Sequence, residues 1–150
     1  MSKLTIALFV MAGLGLAGCA TQKDTYVTAA RPAAPLVPIT KDAYDAAIRN
    51  ADARYKIDKD ACSSRSGNAK DVCLKEADAA LVKAKADARV DRVAADTSQD
   101  GAAKQAEART EANTAKRDAD YKVAIEKCDA LAGSAKDSCV NTAKAQFGKS

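Results

Sequence analysis

Apolar side chains in this chain recur at the spacing of a helix rather than a strand. Tyr44, Ile48, Ala51, Tyr55 and Cys62 fall at steps of four, three, four and seven, one face of a helix with about 3.6 residues per turn. The spacing predicts a first helix from about Lys41 to about Ser66. A second runs from about Ala69 into the nineties, with Leu74, Ala77, Leu81, Ala84 and Ala88 along its seam. Thr97-Ser98-Gln99-Asp100-Gly101 interrupts the pattern and predicts a turn or a kink. A third helix follows from about Ala102 to Ala132 and a short fourth from Ala135 to Phe147. After Thr40 there is no proline, and Ala, Lys, Asp, Arg and Glu dominate, most of them good helix formers.

One stretch occurs twice. Tyr55–Ala77 and Tyr121–Ala143, laid together at an offset of 66, share nine of 23 positions, including both cysteines and the glycine. Each copy reads as helix, tight turn, helix. Gly67 and Gly133 supply a left-handed residue that ends the first helix. Asn68 and Ser134 are suited to cap the second, and Asp71 and Asp137 sit where a capping box and the helix dipole favour a carboxylate. A reversal within about two residues makes the two helices antiparallel.

Cys62 and Cys128 precede the glycine by five residues, and Cys73 and Cys139 follow it by six. These rows sit at similar heights on antiparallel helices, so a disulfide can span each hairpin. Four cysteines permit three pairings; the repeat favours Cys62–Cys73 with Cys128–Cys139. Each closure of about 12 residues contributes roughly 3 kcal/mol on the loop-entropy argument. Tyr55 and Tyr121, two turns before the first cysteine of each pair, are expected to pack over the staple. Acid-before-base pairs such as Asp45/Arg49, Asp52/Lys56 and Asp118/Lys122 are expected to support the exposed helix faces.

The N-terminal part has a different character. Leu4–Leu16 is an apolar run of 13 residues behind Lys3, too short to span a bilayer as a stable helix. It ends in Leu16-Ala17-Gly18-Cys19, which resembles the lipobox of bacterial lipoproteins. That resemblance implies cleavage after residue 18, a diacylglycerol on the Cys19 sulfur and a membrane anchor. Ala20 in place of an aspartate implies the outer membrane. Lipid on Cys19 also accounts for an odd total of five cysteines, leaving four to pair in an oxidising compartment. Pro32, Pro35 and Pro38 lie within seven residues, so residues 19–40 read as a lipidated cysteine followed by a disordered, extended tether.

The composition narrows the chemistry. There is no histidine, the commonest acid–base group and metal ligand. No phosphate-cradling glycine loop, CxxC motif or nucleophile elbow occurs, and the carboxylates alternate with Lys and Arg as on a solvated helix. An enzyme is not expected, nor a cofactor or a small-molecule substrate. The net charge of +4, or +3 without Lys3, carries no basic block, which argues against nucleic acid. The four paired cysteines have an alternative reading as a metal-binding or redox-responsive set, although each pair is spaced more widely than usual zinc ligands. Only 16 large apolar side chains (Val, Ile, Leu, Tyr, Phe) occur between 41 and 150, so a thick core is not available. Alanine-seamed helices that pack closely, self-associate or dock on partner helices fit better.

The second copy (Asp118, Tyr121, Lys122, Lys127, Cys128, Asp129, Gly133, Ala135, Lys136, Asp137, Cys139) resembles a group of Ala/Lys-rich exported proteins of Gram-negative bacteria, chiefly β-proteobacteria. They carry repeats of the form ADYKxAxxKCDxLxGNAKDxCxxxAK and are loosely labelled as like the cell-envelope protein TolA. The likeness covers about residues 50–85 and 115–147, and the first copy departs from it at Asp60-Ala61-Cys62-Ser63. It implies an envelope location and helical architecture, and no activity.

The expected molecule is all-α: two disulfide-stapled antiparallel hairpins, about four elongated helices in all. Its parts are a leader at 1–18, a tether at 19–40, one hairpin at 41–96, a turn or kink at 97–101, and a second hairpin at 102–150. A lipid-anchored helical spacer or scaffold facing the periplasm is the expected role.

Overall fold

The computed structural model of the protein describes residues 38–150; the leader, Cys19 and most of the tether lie outside the described residues. Four helices follow: α1 (Lys41–Cys62), α2 (Gly67–Ala94), α3 (Gly101–Cys128) and α4 (Gly133–Phe147). The described residues contain no strand. Thr40 opens α1 as a side-chain cap, its hydroxyl accepting from the Ala43 N–H at 3.2 Å.

The first helix of each repeat stops earlier than the periodicity predicts. α1 and α3 end on their cysteines, Cys62 and Cys128, not at Ser66 and Ala132. Their last turns tighten: the Ser63 N–H donates to Asp60 O and the Arg65 N–H to Cys62 O, both at 3.0 Å. Asp129 and Leu131 repeat this onto Glu126 and Cys128. The reversal therefore takes four residues. Gly67 and Gly133 do adopt left-handed angles (φ 54° and 57°), but they open the second helix rather than close the first. Each carries the chain from an extended residue, Ser66 or Ala132, into helical dihedrals.

The helices pack only on their neighbours in sequence: α1 on α2, α2 on α3, α3 on α4. The described part is thus an open row, not a closed four-helix bundle. At about 100° per residue, Ala77, Leu81 and Ala88 lie on one side of α2, while Ala79, Ala86 and Val90 lie nearly opposite. The first set faces α1 and the second faces α3, where Val90 packs with Ala108 and Ala112. A helix sandwiched on both sides needs two seams, whereas the sequence displays one. Ala84, expected along that seam, stays exposed.

Residues 97–101 form a true reversal. α2 and α3 run antiparallel, and their surface ion pairs keep a single register. Glu76 meets Lys127 at 2.8 Å and Arg89 meets Glu111 at 2.8 Å, with Lys83–Asp120 and Asp87–Lys116 between them. Gly101 earns its place here by close approach: a Cβ would come within 2.4 Å of the Asp96 carbonyl oxygen. The turn is tied further by Asp96, which accepts from the Ser98 N–H at 2.9 Å and from Lys104 Nζ at 3.0 Å. These bonds hold its carboxyl well below the ordinary carboxylate range.

Candidate functional site: the paired hairpin tips

With α2 and α3 antiparallel and only the 95–100 turn between them, both repeat turns fall at one end of the row. That end carries the two disulfides, Cys62–Cys73 and Cys128–Cys139, each with Cα atoms 5.7 Å apart. The expected pairing is formed. Cys62 and Cys128 are wholly buried, the largest side chains among the described residues to be so. In this row, sealed sulfur substitutes for a hydrophobic core at the tips.

Asn68 does not cap α2. Its side-chain Nδ2 donates across to the Glu126 carbonyl at 2.9 Å, which also accepts from the Asp129 N–H in the last turn of α3. One tip is thereby stitched to the other, and Lys127 to Glu76 adds a second link nearby. Ser134, its repeat counterpart, makes no side-chain cap on α4 either. Asp71 and Asp137 stand exposed beyond the first turn, with no capping box. The reason is shared: each helix opens at its glycine, which moves these residues two places further into the helix than the expected boundary.

Each tyrosine contacts the other side of its own hairpin. Tyr55 donates its hydroxyl to Asp78 Oδ1 at 2.7 Å, and that carboxylate pushes the phenol above its usual range. Tyr121 meets Phe147 edge-on at 6.1 Å between centroids. Lys149 Nζ reaches Asp118 at 2.6 Å, which draws that carboxyl below its usual range. The acid–base pairs expected within helices are realised across them: Asp52 pairs with Lys85 at 2.7 Å and Asp118 with Lys149, while Asp45 turns back to Lys41 at 2.6 Å. Sequence spacing names the charges. It cannot name a partner on the next helix.

Chemically, the end offers two disulfides, whose sulfurs present no thiolate to a metal or an electrophile. Among the described residues no three His, Cys, Asp or Glu side chains are gathered to hold a metal ion. The clefts along the seams are open and rimmed by paired charges, as around Arg89, Asp96 and Lys104. No helix of the described residues is long and apolar enough to cross a membrane. No family model, curated protein or solved structure matches the chain.

Proposed function

We propose that the chain is a lipid-anchored protein of the bacterial cell envelope, held at the outer membrane and facing the periplasm, whose stapled helices act as a spacer or interaction module. The observation that carries this reading is the fifth cysteine. Cys19 stands at the end of an apolar leader in the lipobox-like Leu16-Ala17-Gly18-Cys19, while the other four cysteines pair with one another. Two disulfides in so small a chain suit an oxidising, exported setting. The row of helices supports a mechanical or docking role, because its side chains line surface and seams, and the clefts among the described residues are open. The chain enters α1 beside the end of α2, where the Ile39 N–H donates to Asp91 O at 3.3 Å. An anchor upstream of Ile39 therefore meets the helices at the end opposite the disulfides.

Unreduced peptide mapping of protein extracted from membranes, with thiols blocked at lysis, tests this. The expected result is an acylated peptide beginning at Cys19. A Cys19→Ala variant should leave the membrane fraction, and its retention there would sink the anchor. Four blocked, unpaired thiols would instead favour the metal-binding or redox-responsive alternative.

A further inference from the structure

The two repeats keep the same staple but not the same packing behind it. In the first, α1 packs on α2 alone, with Ala51 buried and Tyr44 and Ile48 half-buried. Asp52 meets Lys85 and Tyr55 meets Asp78 across that seam, both at 2.7 Å. The offset of 66 carries Tyr44, Ile48 and Ala51 to Thr110, Thr114 and Arg117 on α3. The two threonine hydroxyls donate to carbonyls of their own helix at 3.0 Å, and Arg117 is exposed. α4 is short, 15 residues against 28 in α2, and closes on the left-handed Gly148. Ala143 is its only buried residue. Away from the tip, where Lys136 meets Asp129, its polar and aromatic ties to α3 are gathered at residues 147–149. There Phe147 meets Tyr121, the Arg117 guanidinium donates to Phe147 O at 2.9 Å, and Lys149 pairs with Asp118.

We infer that Cys128–Cys139 is a redox-sensitive clasp: its reduction by a dithiol frees α4 from α3, whereas the first hairpin stays docked when its own disulfide is opened. The step is a two-electron exchange. A thiolate of the dithiol bonds to one sulfur of the bridge and displaces the other, which takes up a proton. The second thiol of the reductant then closes its own disulfide and releases the remaining cysteine as a thiol. Whether a bridge re-forms depends on the effective concentration of the two protein thiols. Opened Cys62 and Cys73 stay face to face, because the Ala51, Tyr55 and Asp52 contacts still hold α1 on α2. Opened Cys128 and Cys139 drift apart, because one buried alanine and a short tail hold α4, and a detached helix of that length is marginal in water. The second bridge therefore has the more oxidising potential and is reduced first. Its opening uncovers Tyr121, which Phe147 otherwise meets. The inference goes beyond the interaction-module reading and holds whether or not Cys19 carries lipid.

The test is a redox titration of the full chain extracted from membranes, in buffers of graded reduced-to-oxidised dithiothreitol, with thiols alkylated at equilibrium and mapped by peptide. Cys128 and Cys139 should become alkylated at a ratio about tenfold or more lower than Cys62 and Cys73. Amide exchange should rise across residues 133–147 over the same range, while residues 67–94 keep their protection. Under oxidising conditions, Cys128→Ala with Cys139→Ala should already show fast exchange in α4, whereas Cys62→Ala with Cys73→Ala should leave α1 protected. Two pairs that titrate together, Cys62–Cys73 opening first, or an α4 that stays protected once its bridge is open would each overturn the inference. Alkylation of Cys19 in the same map would count against the anchor alone, so the two readings can fail independently.

Discussion

Three glycines punctuate the described fold at its turns, and they do so for two different reasons. Gly67 and Gly133 face open space but hold left-handed dihedrals; Gly101 has an ordinary φ but no room for a Cβ. The two cases should separate on substitution. Gly133→Ala is expected to cost about 1–2 kcal/mol, the cost of a Cβ in left-handed backbone. Gly101→Ala should cost about 1–3 kcal/mol, because the carbonyl of Asp96 must move. Only Gly101→Ala should also loosen the α2–α3 turn. Urea unfolding reads the cost, and amide exchange at residues 96–104 reads the local loosening; unchanged exchange there in Gly101→Ala would contradict the steric account. Asp96 is the other determinant of that turn. Its folded pKa is depressed, so its contribution is present above the unfolded carboxylate value of about 3.9 and is lost as pH falls below it. Asp45 and Asp118 are shifted in the same direction by their lysines, while burial raises Asp91. The melting temperature should therefore fall as pH drops below about 4, and Asp96→Asn should make that fall shallower without abolishing it.

Each hairpin is an element in which a covalent bond stands in for packing. The seams are lined mainly by alanine, and the described large apolar residues are mostly half-buried. Closing about 12 residues by a disulfide is worth roughly 3 kcal/mol in the entropy account, a large part of the stability of a domain this size. Replacing Cys62 and Cys73 together by alanine should lower the urea midpoint by that amount, and Cys128 with Cys139 by a similar one. A loss well under 1 kcal/mol from either would show that the seams alone hold the hairpin. The helices α1 and α3 end on the cysteines for the same reason: a buried sulfur bridge fixes the last turn, and the following residues are free to reverse. Helix periodicity reveals nothing of that stop, because Ser63–Ser66 and Asp129–Ala132 contain no proline or glycine to announce it.

The row of four gives the whole molecule a graded stability. α2 and α3 each have two helical neighbours, whereas α1 and α4 have one. Amide exchange should therefore be slowest in the middle of α2 and α3 and faster along α1 and α4. Uniform protection across all four helices would contradict an open row in the monomer. The ion pairs along the α2–α3 seam are exposed, so added salt should shift the melting temperature only slightly.

The existence and number of helices, the repeat and the cysteine pairing were all legible in the sequence. These depend on periodicity and on partners within one short turn, and local spacing encodes both. Tertiary structure decided that residues 97–101 reverse the chain, that both disulfides share one end, and that Asn68 bonds across to α3. It also decided that Asp52 finds its lysine on α2 and Asp118 its lysine just past the end of α4. The physical reason is the composition of the seams. An alanine surface accepts another helix in many registers and carries little information about which. Only the packed row selects α2 against α3, and with it every contact that crosses from one repeat to the other.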